Sequence, residues 1–488
     1  MPSLRLVLSL FAACLLAAGC GGEDSGGDDP ASVLPAGSPL VVELSTGPDS
    51  RQGQAALEFA ERVDPGDRDL GKLLEGSLDE EFEGYSYAKD VKPWLGQVAV
   101  AVDGFEEFQG VVALEVRDEE AARAFVKKVS QDDKYVDRTY ENVSYQTDPD
   151  GTAQGFVDGY LVVASDEARF KRAIDASQGK GALTDDAKYK QGTGRAPDER
   201  LALGYVELDP LVALLEQSEA LAPQVQEAIS QAPGLGTGQT AVAALVARED
   251  RLILETAGDA NAAGVADPGP DVASLPASAW IAAAGPVAGP GFLVGLEQGL
   301  LTADGTRDAA AALDRLKLRA FLEGLKRVSV HFGGTEVTSL SGGLKLTGDD
   351  EQAAAAVVGR VAGEVRRLAG PNVRVQTAGS TATLTAGPYT ARLAAEGKDL
   401  SLELGRPSSE RLEDRPAFQD AVEALDLSGA THSVFVDFPE LAKLVANLAP
   451  DDPQTRLAID VLDGLDALIG GTAKDGETLR ARFVLTLR

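Results

Sequence analysis

Few side chains in this chain can do covalent or metal chemistry, so the positions of those that can carry much of the functional information. Among 488 residues there are two cysteines, Cys14 and Cys20, and two histidines, His331 and His432. A cysteine reacts through its thiolate, so a lone thiol in the right setting is a point of covalent attachment. Cys20 has such a setting. It follows Leu15-Leu16-Ala17-Ala18-Gly19, which closes an apolar run from Leu6 to Ala18 behind a start whose only charged side chain is Arg5. A basic start, an apolar middle and small residues before a cut are the layout of a secretory signal. At about 1.5 Å per residue the run reaches ~20 Å, short of an ~30 Å hydrocarbon core, so it reads as removed rather than retained as a span. Loss of residues 1–19 takes Cys14 away and leaves Cys20 as the first mature residue, with no thiol or disulfide after it.

The remaining chemistry is sparse. His331 stands in Val328-Ser329-Val330-His331-Phe332, where strand alternation sends its ring to the face opposite the valines. His432 opens another strand-like stretch, and two histidines without thiols are too few for zinc or most transition metals. The acidic cluster Asp148-Pro149-Asp150-Gly151 lacks the spaced oxygen ligands of a calcium loop and reads as a hairpin turn. No Gly-x-Ser-x-Gly elbow occurs. Gly234-Leu235-Gly236-Thr237-Gly238 and Gly289-Pro290-Gly291 with Gly295 lack the order or the lysine of a phosphate loop and read as turns. Trp94 and Trp280, the only tryptophans, read as core anchors. No catalytic residue, metal site or cofactor is therefore assigned, and the chain is read as not an enzyme. Its 77 acidic against 45 basic residues give a formal charge of −32, which repels nucleic acid and anionic lipid headgroups.

The stretch Leu15 to Cys20 resembles the lipobox of bacterial lipoproteins, with Ala17 where such motifs more often carry Leu. The resemblance implies a lipid attached at Cys20, and an extracytoplasmic protein held at the outer face of the cytoplasmic membrane. Residues 20–33, rich in Gly and Asp, then read as a tether.

The elements that must position any site come in two sets. Leu34-Pro35-Ala36 opens a strand-like segment, and Leu275-Pro276-Ala277 opens another, 241 residues on. At a constant offset of 230 residues, Val98–Val102 meets Val328–Phe332, Asn142–Thr147 meets Asn372–Thr377, Tyr205–Leu208 meets Phe435–Phe438, and Leu252–Thr256 meets Arg482–Thr486. Asn142 to Thr147, Thr152 to Val157 and Tyr160 to Ala164 lie close enough together that only antiparallel pairing joins them. Helical periodicity marks Ala121, Ala122, Phe125, Val126 and Val129 in one set, and Ala354, Val357, Val358, Val361, Ala362, Val365 and Leu368 in the other. The expected fold class is α+β: two tandem homologous domains, each a mainly antiparallel sheet covered by amphipathic helices. The expected division is a signal peptide at 1–19, the tether at 20–33, a first repeat at 34–258, a linker at 259–272 and a second repeat at 273–488.

Asp90-Val91-Lys92-Pro93-Trp94-Leu95-Gly96, Leu114-Glu115-Val116-Arg117-Asp118-Glu119-Glu120-Ala121 and Asp158-Gly159-Tyr160-Leu161-Val162-Val163-Ala164-Ser165 resemble the bacterial family catalogued as domain of unknown function 3352. The likeness is best over residues 34–258. In the second set Leu325-Lys326-Arg327 replaces the Trp-Leu-Gly element. The resemblance implies a secreted or envelope protein and brings no catalytic residues with it. The functional expectation is a membrane-anchored envelope lipoprotein acting as a binding or interaction module. Its partner would be a small molecule, a cell-wall fragment or a protein, bound in a groove between the halves lined by apolar and carboxylate side chains. A structural partner of an envelope complex and a hydrolase of unrecognised type stay open beside it.

Replacing Cys20 by Ser is expected to leave the protein secreted but released from the membrane, because no other feature of the mature chain anchors it. Fractionation after an alkaline wash checks this, and continued pelleting of Cys20→Ser would contradict lipid attachment.

Overall fold

The computed structural model describes residues 29–45, 50–63, 85–105, 108–130, 134–217, 239–259, 269, 271–287, 316, 318–336, 338–368, 373–448 and 453–488. Cys20, the signal segment and both glycine stretches lie outside them.

In the N-terminal half the elements are β1 (Leu40–Leu44), α1 (Arg51–Val63), β2 (Leu95–Gly104), β3 (Gln109–Val116), α2 (Glu119–Val129), β4 (Val136–Tyr140), β5 (Val143–Thr147), β6 (Ala153–Val157), β7 (Tyr160–Ala164), α3 (Glu167–Ser177), α4 (Ala187–Thr193), β8 (Ala202–Glu207), α5 (Leu208–Gln217), β9 (Thr240–Arg248) and β10 (Arg251–Asp259). The C-terminal half has β11 (Ala279–Pro286), α6 (Leu318–Glu323), β12 (Arg327–Gly333), β13 (Ser341–Thr347), α7 (Glu351–Leu368), β14 (Val373–Ala378), β15 (Thr381–Ala386), β16 (Tyr389–Glu396) and β17 (Asp399–Leu404). It continues through α8 (Pro416–Leu425), β18 (Thr431–Asp437), α9 (Phe438–Leu448), α10 (Pro453–Gly464), β19 (Leu465–Asp475) and β20 (Thr478–Leu487).

The fold is α+β, and its strands form one antiparallel sheet. The pairing order is β4-β5-β6-β7-β3-β2-β1-β8-β9-β10-β20-β19-β18-β11-β12-β13-β17-β16-β15-β14. Read outward from the β10·β20 pair, the two halves have the same order, as a two-fold axis through that pair requires. The halves therefore meet by sharing a ladder.

Both faces of the central strands are buried, which explains the unbroken apolar runs of β2, β3 and β7. On the first face Val98, Val100, Val112 and Leu114 pack beneath Ala122 and Phe125 of α2 and beneath Trp94. Asp90-Val91-Lys92-Pro93-Trp94 forms a tight turn there: the Trp94 indole donates to the Asp90 carbonyl at 2.8 Å, and Lys128 bridges the Asp90 carboxylate at 2.9 Å. On the second face Ala99, Ala101, Val111 and Ala113 pack beneath Phe170, Ala173 and Ile174 of α3. Ala31 and Val33, inside the stretch whose composition suggests a tether, are fully buried in this same cluster. Among the described residues packing thus begins at Pro30, ahead of Leu34.

The halves differ in two of their helices. Helix α7 has 18 residues where α2 has 11, and no helix after β17 corresponds to α3. The longer helix displaces the four-strand meander along the chain, and the missing helix restores the count by β18. For that reason Asn142–Thr147 and Asn372–Thr377, matched by sequence, do not share a place: the first holds β5, the second the edge strand β14. A similar slip affects the last strands. Counted from the hairpin turns, Glu255 and Arg482 are both fifth residues of their strands, and they pair with each other.

That pair lies at the two-fold position, where two identical chains would set glutamate against glutamate. Here Glu255, 6% exposed, takes Arg482 at 2.7 and 3.0 Å and Arg480 at 2.9 Å. Arg482 also donates to the carbonyls of Leu425 and Asp426 at the end of α8. On the other face Phe59 of α1 packs with Leu465 and Leu487 across the seam. Glu255→Arg is expected to cost about 3 kcal/mol or more of stability, since it sets three cations side by side without a buried carboxylate to pair them. Adding Arg482→Glu is expected to recover at least half of that loss in urea denaturation; a double variant as unstable as the sum of the single ones would contradict a seam set by this pairing.

Candidate functional site

The first face of the C-terminal half is only partly covered. Helix α7 packs Ala354, Val357, Val358 and Ala362 onto Ala382, Leu393, Ala395 and Leu400, sealing one end of strands β13 to β17. At the other end the same alternation continues with no described helix over it. Phe332, Gly342, Leu404, Ala391, Leu384 and Val375 are register partners in one row across β12, β13, β17, β16, β15 and β14. A second row, Tyr389, Ala386 and Val373, runs beside it.

Between and around these rows lies a trough of about 450 Å³, with Trp280 at its β12 end and no charged side chain in its lining. Ala391 keeps its floor low in the middle of the row, while the Phe332 ring lies over Gly342, where a Cβ would sit 2.9 Å from it. Trp280 stacks on Phe332 with ring centres 6.4 Å apart, and its indole nitrogen donates to the Gly334 carbonyl at 2.9 Å. Of the eight large apolar side chains left exposed among the described residues, Phe332, Leu340, Tyr389 and Leu404 all line this trough. Such convergence marks an interaction site rather than scattered surface. In the N-terminal half the position of Phe332 is taken by Val102, which is buried against Phe108.

Two other cavities are wetter. A groove of about 1130 Å³ lies between α2 and β4–β6, where Arg123 stands over the Phe156 ring at 4.2 Å and Gln154 donates to Ser130 at 3.1 Å. A small cavity of about 290 Å³ beside the start of the packed chain is lined by Asp29, Glu43, Asp198 and Arg200. There the Tyr189 hydroxyl donates to Glu43, and Arg200 reaches the other carboxylate oxygen at 3.3 Å. Burial, with the charge of Asp29, raises the Glu43 pKa above the ordinary carboxylate range, and burial beside Glu43 raises that of the Tyr189 phenol. The arrangement can hold a proton, but neither a thiol nor an imidazole lines the cavity to act as nucleophile or base.

The histidines are placed apart. His331 faces away from Val328 and Val330, as the alternation requires, and lies against Gly343; desolvation lowers its pKa. His432 pairs through Nδ1 with Asp271 at 3.0 Å. Asp148–Gly151 is the turn between β5 and β6, with Gly151 at φ 96° and its N–H donating to the Asp148 carbonyl. Trp94 is a core anchor at 1% exposure, whereas Trp280 is half-buried and lines the trough, contrary to its reading as core. At the seam the halves meet as paired strands rather than across the groove expected there. The trough and the Glu43 cavity had weak sequence signals. Alternation in Thr381-Ala382-Thr383-Leu384-Thr385-Ala386 marks one apolar face but not whether a helix covers it, and Glu43, Tyr189 and Arg200 are far apart in the chain. Among the described residues no cluster of metal-ligating side chains occurs, and no helix is long and apolar enough to cross a membrane.

Comparison with known proteins gives a family without an activity. The model of the family described as Protein of unknown function (DUF3352) matches residues 4–285, more than half of the chain, and the chain belongs to that family. No curated protein matches it. Solved structures of TP0453 in crystal forms IV and I are similar at TM-score 0.27, with 11% and 10% identity over 48% and 49% of this chain and 81% and 80% of theirs.

Because the folded chain raises the Glu43 pKa, it holds more protons than the unfolded chain between the ordinary carboxylate pKa and the raised one, so stability falls as pH rises through that window. Glu43→Gln is expected to keep the Tyr189 contact and to flatten this decline. Denaturation midpoints from pH 4 to pH 8 check it; a variant with the wild-type slope would contradict a buried, proton-holding Glu43.

Proposed function

We propose, with membership of that family as the premise, that this chain is an extracytoplasmic lipoprotein that binds an apolar ligand and catalyses no reaction. Its anchor is the lipid on Cys20, which holds the body at the outer face of the cytoplasmic membrane. Its site is the trough of the C-terminal half. The observation that carries the reading is the convergence of Phe332, Leu340, Tyr389 and Leu404 on one uncharged concavity of about 450 Å³, within the size range of ligand sites. The charge of −32 supports the same view, since a polyanion or an anionic surface is repelled from such a body. A role as structural partner in an envelope complex would use the same apolar surface, with a protein in place of the ligand.

The test is binding of a neutral apolar fluorophore, N-phenyl-1-naphthylamine, to the mature protein. Phe332→Glu and Leu404→Glu, which set a charge in the trough, are each expected to weaken binding tenfold or more. Val136→Glu, on the opposite edge of the sheet, is expected to leave it unchanged. Equal binding by all four proteins, or none by the wild type, would overturn the reading.

A further inference from the structure

Resting on that reading, we infer that the trough takes one extended acyl chain of a lipid drawn from the membrane that carries the protein. The argument is one of shape. The lining runs from Phe332 on β12 to Val373 on β14, which spans five strand spacings in the order β12-β13-β17-β16-β15-β14. At about 4.8 Å per spacing the trough is ~24 Å long. A volume of about 450 Å³ spread over that length makes the trough long and narrow. A polymethylene chain is narrow enough to lie along the floor over Ala391 and Leu384.

Chemistry narrows the occupant further. A peptide strand laid across the sheet would bring backbone N–H and C=O groups against Phe332, Leu384 and Leu404, which offer them no partner. An acyl chain brings none. Among the described residues the lining holds no cation or carboxylate to meet a headgroup, so the headgroup stays at the mouth in water. The source follows from the proposed lipid anchor: Cys20 lies ten residues before Pro30, the first buried residue among those described, so the bilayer is the nearest supply of acyl chains.

The experiment uses the full mature chain as Cys20→Ser, which needs no detergent, and follows Trp280 fluorescence in a Trp94→Phe background. Fatty acids from octanoate to tetracosanoate are expected to bind with affinity rising roughly fourfold per added methylene, then levelling once the trough is full. Leu384→Trp, which fills the floor, is expected to move that plateau to shorter chains. After incubation with zwitterionic phosphatidylcholine vesicles and re-isolation, the protein is expected to carry one lipid per chain. Affinity that rises without a plateau, or a plateau that Leu384→Trp leaves in place, would overturn the acyl-chain inference. Uptake of free acids with none from vesicles would overturn the membrane source. Binding of the neutral fluorophore without any dependence on acyl length would overturn this inference and leave the binding reading standing; failure of both ligands would sink both.

Discussion

The antiparallel pairing of β10 with β20 is the constraint on which the rest of the structure depends. A sheet edge is a row of unpaired donors and acceptors, and two such edges meeting along nine residue pairs remove both at once. The pairing fixes the order of every other strand, because each half is laid outward from it in the same sequence of neighbours. Its specificity comes from one position. Like charges directly opposite in a ladder repel, so the two-fold position cannot hold the same charged residue on both strands. Glu255 facing Arg482 resolves this, and Arg480 supplies the second donor that a buried carboxylate needs.

With the seam fixed, the functional difference between the halves follows from helices. In the N-terminal half α2 and α3 cover both faces of the meander, and aromatic side chains such as Phe170, stacked on Tyr145 at 4.8 Å, fill the second face. In the C-terminal half nothing takes the place of α3. The face it would cover is accordingly polar, with Thr381, Thr383, Thr385, Arg392 and Glu403 in alternate positions and Lys345 bridging Asp399 at 2.7 Å. The opposite face stays apolar and is sealed by α7 at one end only. The open trough is thus a product of divergence between two halves with one plan.

Much of the fold was legible in the sequence. Strand alternation, the helical stripe of α7, the Asp148–Gly151 turn and the face on which His331 lies all follow from local periodicity, which acts over a few residues. The offset of 230 was informative about repetition but misplaced β14 and the last strand, because it cannot register a helix lengthened in one place and lost in another. The seam was not legible, since nothing in β10 or β20 says that each is the other's neighbour. Trp280 illustrates the same limit for the site: its type suggests burial, and only the absence of a helix above Phe332 and Leu404 among the described residues makes it a wall. The Glu43 cavity depends on three residues from separate elements, a convergence that only tertiary structure brings about.

The central claim is that an acyl chain lies along the trough of the C-terminal half. The most direct measurement is a crystal structure of the mature protein with terminally brominated palmitate, in which anomalous scattering locates the end of the chain. The account predicts a single bromine peak in the trough, among Phe332, Leu384, Tyr389 and Leu404, with continuous density across strands β12 to β14. A peak in the groove beside α2, or an empty trough at saturating ligand, would contradict it.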